Sequence, residues 1–136
     1  MPTAEIHIHE GRYDAERCAK LGQAIQDALE TVMNIPSQDY FRIFHHLPPS
    51  RFVHTPSFLG LNYTDDFILL KITFIVGRPA ETRLALLKEL NSRIVEAVGI
   101  SPDDLVINLY EIAGENVSFG QGLAQRARIM SGQNKT

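Results

Sequence analysis

This chain of 136 residues is short of several things, and each shortage excludes something. It has a single cysteine, Cys18, so no disulfide can form within it. Tryptophan is absent. The longest apolar run, Phe67 to Val76, contains Lys71 and is too short to span a bilayer. The first residues lack the basic-then-apolar pattern of a secretory signal. A cytoplasmic location with no membrane partner is therefore expected. Basic residues are not in excess: 13 Lys and Arg against 16 Asp and Glu give a formal net charge of −3. Without a clustered basic face, no nucleic-acid partner is expected. What remains is 44% hydrophobic and 21% charged, the profile of one globular domain across residues 1–136 with a core of its own.

Within that domain two segments resemble each other. The first passes through Ile6, Glu10-Gly11-Arg12, a helical stretch and Ile35-Pro36-Ser37-Gln38-Asp39. The second passes through Ile72, Val76-Gly77-Arg78, a helical stretch and Ile100-Ser101-Pro102-Asp103-Asp104. Gly11-Arg12 corresponds to Gly77-Arg78, and Asp39 to Asp104 after a one-residue gap. Self-similarity of this kind points to a fused duplication.

Each half reads strand, helix, strand. Ile6 and Ile8 alternate with His7 and His9, the pattern of a half-buried strand. Asp14 suits a helix N-cap. Cys18, Leu21, Ile25, Ala28, Leu29 and Val32 then make one apolar face at helical spacing, with Cys18 as core filling. Pro36 is positioned to stop that helix, and Tyr40 to His46 predicts a second strand. In the other half, Phe67 to Val76 predicts a central strand and Pro79 a first helical turn. Leu84, Leu87, Leu90, Ile94 and Val98 predict the buried stripe, with Gly99 at its C-cap. Leu105 to Tyr110 predicts the fourth strand. The expected fold class is α/β (α+β): two fused β-α-β units, 2–46 and 67–111, joined by a long loop, 47–66, and followed by a C-terminal turn and tail, 112–136. Together they give a four-stranded sheet with both helices on one face. The other face is left bare, which predicts burial in a symmetric homo-oligomer. The last residues, 131–136, are expected to fray.

The chemistry begins at residue 2. Met1 precedes a proline, a residue small enough for Met1 to be removed by an aminopeptidase. The processed chain would then start with the secondary amine of Pro2. An α-amino group ordinarily loses its proton near pH ~8. Burial and a nearby cation favour its neutral form, which makes it a general base near neutral pH. Arg78, between a strand end and a helix, lies where α/β folds place binding sites, and its guanidinium can hold a carboxylate in bidentate fashion. Arg12 reads as a surface counterpart. Ile68 stands where Pro2 would fall in the second half, so each chain carries one proline site. Phe119, beside Gly120, either walls an apolar pocket or anchors the C-terminal turn. His7 and His9 share a strand face, while His45 and His46 point to opposite faces. Two ligands do not make a zinc site, so no metal and no cofactor is expected.

Taken together, Met-Pro, the two Gly-Arg strand ends, Ile35-Pro-Ser-Gln-Asp39, Ile100-Ser-Pro-Asp-Asp104 and Val117-Ser-Phe-Gly-Gln-Gly122 resemble the tautomerase superfamily, in particular its malonate semialdehyde decarboxylase branch. The resemblance covers roughly residues 2 to 122. It implies a tautomerase/MIF-like fold assembled as a homotrimer, with Pro2 as acid or base on a small oxo or enol carboxylate. It also implies catalytic roles for Asp39 and Arg78, with Arg78 and Phe119 contacting substrate. Two positions depart from the branch: Ala80 replaces a second arginine, and Val117 a tryptophan. Related dehalogenases carry a histidine where Leu29 stands and a late glutamate that has no counterpart between Asn116 and Gly122, so dehalogenation is not implied. Decarboxylation of a 3-oxo acid is the first reading. Enol–keto tautomerisation of the phenylpyruvate or 2-hydroxymuconate type is the alternative, and hydration is not separated from either. If Met1 is retained, the proline nitrogen is an amide, and the chain reads as a non-catalytic trimeric binding protein.

Overall fold

In the computed structural model the described residues are 1–127, so the expected frayed tail, 131–136, lies outside them. Six strands and two long helices follow one another in the order β1 (Thr3–His9), α1 (Ala15–Met33), β2 (Phe41–Leu47), β3 (Ser57–Phe58), β4 (Leu61–Asn62), β5 (Ile68–Ile75), α2 (Ala80–Val98) and β6 (Leu105–Ile112). The main sheet has the order β2-β1-β5-β6. β1 runs parallel to β2 and β5 parallel to β6, as β-α-β units require. The two units join through β1 and β5, which pair antiparallel with Thr3 opposite Thr73 and Ile8 opposite Ile68. The sheet is therefore mixed, with both central strands supplied by unit starts.

Alternation decides which side chains enter the core. Ala4, Ile6 and Ile8 of β1 and Ile68, Leu70, Ile72 and Phe74 of β5 are buried in one cluster with both helices. From α1 come Leu21, Ile25, Ala28 and Leu29. In α2 the buried line is Leu86, Leu90, Ile94 and Val98. Leu84, expected in that stripe, is 65% exposed. The spacing 86, 90, 94, 98 follows the i, i+4 row over the sheet, and Leu84 and Leu87 lie on the flank of the helix. There they border a groove against Ile107, Leu109 and Tyr110 of the edge strand β6. No helix of the described residues is long and apolar enough to cross a membrane.

Helix ends follow local chemistry. Asp14 caps α1, its carboxylate accepting from the Arg17 N–H at 2.8 Å. α1 stops at Asn34, which adopts φ 56°, two residues before the expected stop at Pro36. Asparagine tolerates the left-handed conformation that ends a helix. Pro79 is the N-cap of α2, one position before the first turn expected for it. Gly99 closes α2 at φ 70°, where a side chain would be strained.

The 47–66 connection packs on its own chain. It holds the β3–β4 hairpin and an aromatic group in which His54 and Tyr63 lie 4.1 and 4.7 Å from the Phe67 ring. Asp104 is buried beneath it and fixes it: its carboxylate accepts from Thr64 N–H at 2.7 Å and from Thr64 O–H at 2.6 Å.

Candidate functional site

One end of the sheet collects the residues singled out from the sequence. β1 starts there, β2 starts beside it, and β5 and β6 finish there, because β1 opposes β5. Continuing the β1–β5 register by one step past Thr3–Thr73 sets Pro2 beside Phe74. Pro2 is buried, as is Phe74. The Arg78 guanidinium stands over the Phe74 ring, 6.0 Å from its centre. Pro2 and Arg78 thus share an aromatic neighbour.

Asp39 reaches the same end from the turn between α1 and β2. Its backbone N–H donates to Pro36 O at 3.0 Å. Its carboxylate is hydrogen-bonded and ion-paired to the Met1 amino group, which is half-buried. The turn is braced from α1 by Gln26, whose amide lies 3.4 Å from Pro36 O and 3.5 Å from Asp39 O. The other end of that amide accepts from Arg42 at 3.4 Å. Gln26 is 4% exposed, a cost recovered only because its polar atoms are met. It escaped the sequence reading, although a glutamine beside Ile25 within an apolar helix face was the available signal.

A cavity of about 300 Å³ opens beside the Met1 end, lined by Met1, Thr3, Phe41, Val117, Ser118 and Phe119. Phe119 therefore walls a pocket. Val117 is in the same wall, so the position where the branch carries tryptophan is a cavity position here. The segment bearing both is seated through a short 3-10 turn at Gly114–Asn116. A Cβ at Gly114 would sit 2.1 Å from Arg126 O, a clash of backbone that only glycine avoids. Thr3, Phe41 and Ser118 were not singled out beforehand.

Arg78 is not in that lining. It is half-buried, and its carbonyl accepts from Arg83 at 2.5 Å. Arg83 also pairs with Glu111 at 3.4 Å. The Arg78 guanidinium has no carboxylate partner among the described residues. The structure thus brings Asp39 and Phe119 to the amino terminus, and places Arg78 at the same sheet end with its charge uncommitted.

The repeat-related positions lie at the opposite end and are fully used. Arg12 pairs with Asp66 at 3.1 Å. Tyr13 donates to Asp66 O at 2.6 Å, and burial raises its proton affinity well above the ordinary phenol range. Asp104 holds Thr64. Cys18 is half-buried, and burial, then the Asp14 carboxylate, push its thiol pKa up, the reverse of an activated nucleophile.

Two family models described as tautomerase enzyme match residues 39–120 and residues 2–61. The probable tautomerase YusQ of Bacillus subtilis (strain 168) is 32% identical over 125 residues, 92% of this chain and 98% of that one. A solved structure of malonate semialdehyde decarboxylase inhibited by 3-bromopropiolate has a TM-score of 0.81 and 26% identity, covering 90% of this chain and 92% of that one. A fused 4-OT protein, itself a symmetric trimer, has a TM-score of 0.72 and 20% identity over 89% of this chain and 94% of its own. The chain belongs to the tautomerase superfamily, near its malonate semialdehyde decarboxylase branch.

Proposed function

We propose that, once Met1 is removed, the Pro2 amine serves as the acid or base in a reaction on a small oxo or enol carboxylate, with decarboxylation of a 3-oxo acid of the malonate semialdehyde type as the first reading. The observation that carries this is the contact between the chain's amino group and Asp39 beside a cavity walled by Phe119. Removing Met1 moves the amine back by one residue, about 3.8 Å, onto a rigid ring in buried surroundings. Asp39, which holds the Met1 amino group, would there favour the protonated amine. A charged amine can donate to the substrate's carbonyl oxygen. The C–COO⁻ bond then breaks, its electron pair passes into an enolate held by the amine N–H, carbon dioxide leaves, and the enolate takes a proton from solvent on carbon. Arg78 supplies the carboxylate clamp through its open guanidinium. With Ala80 at the next matched position and Arg83 paired to Glu111, the Arg78 guanidinium, without a carboxylate partner among the described residues, suits a single carboxylate.

The second reading is enol–keto tautomerisation, with the amine acting as a neutral base. The relative YusQ, a probable tautomerase, supports it. A homotrimer belongs to the same proposal. The sheet face away from the helices exposes Phe41, Ile43 and Tyr110, and the 4-OT neighbour is trimeric. Sedimentation as a stable monomer at micromolar concentration would remove that part.

The test uses protein whose free N-terminal proline has been verified by intact mass. Expected results are carbon dioxide release from malonate semialdehyde, activity that falls as the amine loses its proton, and a strong loss in Pro2→Ala. No carbon dioxide, together with enol tautomerisation that rises through the amine's titration, selects the second reading. Equal rates in wild type and Pro2→Ala overturn both.

A further inference from the structure

The sheet face away from the helices, the one proposed to close in a homotrimer, carries a second cluster that the proline chemistry does not use. β1 and β2 are parallel and in register, so His7 lies directly opposite His45. Their rings stack with centres 4.6 Å apart and planes 10° from parallel. Glu5 is two residues back on the same face. One ligand atom from each of Glu5, His7 and His45 lies within 4.8 Å of the others. We propose that Glu5, His7 and His45 bind a divalent first-row transition ion, with Zn²⁺ as the reference case.

Three features of the cluster point that way. Two imidazoles and one carboxylate are a ligand set that zinc and its neighbours accept, leaving a fourth position for water or an exogenous group. The His7 ring is already oriented: Nδ1 donates to Leu69 O at 3.0 Å, which leaves the Nε2 lone pair free. A metal-binding histidine characteristically gives its other ring N–H to such an acceptor. His45 Nε2 sits 3.3 Å from Glu5 Oε1, so the ion would take the place of the proton that now joins them. Ligand atoms bound to tetrahedral zinc lie about 3.3 Å from one another, the separation that His45 Nε2 and Glu5 Oε1 already have.

The expectation of no metal rested on His7 and His9 as the pair on β1. The structure separates them: His9 turns to His54, Nε2 to Nε2 at 2.9 Å, and His7 finds its partner on the next strand. The site is also distinct from the proposed active end. Glu5 follows Thr3, a cavity residue, by two positions, roughly 6.8 Å along the strand, and none of the three ligands lines the cavity. Binding there would tie the edge strand β2 to β1. Lys71, the register partner of Glu5 on β5, opposes the ion electrostatically and limits its affinity.

The experiment takes full-length protein freed of metal by chelation and titrates it with Zn²⁺ by calorimetry, with thermal melts and Co²⁺ absorption alongside. One ion per chain is expected, with a rise in Tm and a Co²⁺ ligand-field spectrum. Affinity should fall by about tenfold or more in His45→Ala and in Glu5→Gln. It should rise in Lys71→Gln and be unchanged in His46→Ala and His54→Ala. Wild type without saturable binding overturns the proposal, as does undiminished binding in His45→Ala. If His45→Ala fails to fold by circular dichroism, Glu5→Gln carries the same decision, because its amide oxygen preserves the hydrogen bond from His45. None of these readouts depends on Pro2.

Discussion

Asp39 and Asp104 occupy matching places in the two halves, and substitution should separate them cleanly. Asp104 is 1% exposed, and both its oxygens are engaged by Thr64, at 2.7 and 2.6 Å. Hydrogen bonds to a charged group contribute about 1.5–3 kcal/mol each, and a donor left unmet in the interior costs about 1–3 kcal/mol. Removing the carboxylate also relieves its own desolvation, so the two bonds do not add in full. Asp104→Ala should therefore cost about 3–4 kcal/mol. For a chain of this length that is a fall in Tm of about 10–15 °C. Asp39 is 27% exposed, and its partner is a chain terminus. Asp39→Asn should change stability by no more than about 1 kcal/mol. It should instead lower the apparent pKa of the processed amine and move the alkaline limb of the activity to lower pH. Denaturant and thermal melts at matched protein concentration give the first quantity, because association would shift them. A pH–rate profile gives the second. If Asp104→Ala loses less than about 1 kcal/mol, or if both substitutions shift the pH profile alike, the division between a structural and a chemical carboxylate is wrong.

Arg78→Ala should chiefly weaken substrate binding, by about 2–4 kcal/mol for a charge-assisted bidentate contact. Steady-state kinetics would show it as a raised KM. Unchanged KM with a lowered kcat would instead assign Arg78 to the transition state alone. His9 gives a stability test with a definite sign. Burial first, then His54, and more weakly Arg12 push its pKa below the ordinary 6.5, against the pull of Asp65. The unfolded state therefore binds the proton more readily. The stability this protects is full above 6.5 and is lost as pH falls through that value toward the folded one. Wild type should lose more Tm than His9→Gln between about pH 7 and pH 5, and equal losses would place the acid sensitivity elsewhere.

Much of the fold was legible because its periodicities are local. The alternation in β1, the continuous run of β5, Asp14 at one helix start and Gly99 at the other helix end all specify their elements within a few residues. What failed was also local in scale but set by packing. Leu84 and Leu86 are both leucines in an apolar stretch, and only the angle at which α2 lies on the sheet selects the second for the core. The brace from Gln26 to the 36–39 turn depends on how α1 meets that turn. The His7–His45 pair depends on a parallel register between strands that a 19-residue helix separates in sequence. A sequence shows the two histidines and does not show them stacked.

The two ends of the duplicated fold also differ in how far their polar groups are committed. A fold made of two like units has two like ends, each with a strand start, an arginine after a strand and an aspartate before one. At one end the set is Pro2, Arg78 and Asp39. At the other it is Ile68, Arg12 and Asp104. The difference lies in what packs on each end. β5 is preceded by the 47–66 connection, which must pass over its own end of the sheet and brings Thr64 and Asp66 with it. Thr64 takes both oxygens of Asp104, and Asp66 takes Arg12. Those groups are thereby spent on holding the connection down. Nothing comparable covers Asp39 and Arg78, so the carboxylate meets an amino group and the guanidinium keeps its charge free among the described residues. The groups that repeat Asp39 and Arg78 thus serve as a fastening for the linker, while Asp39 and Arg78 themselves stay clear of it.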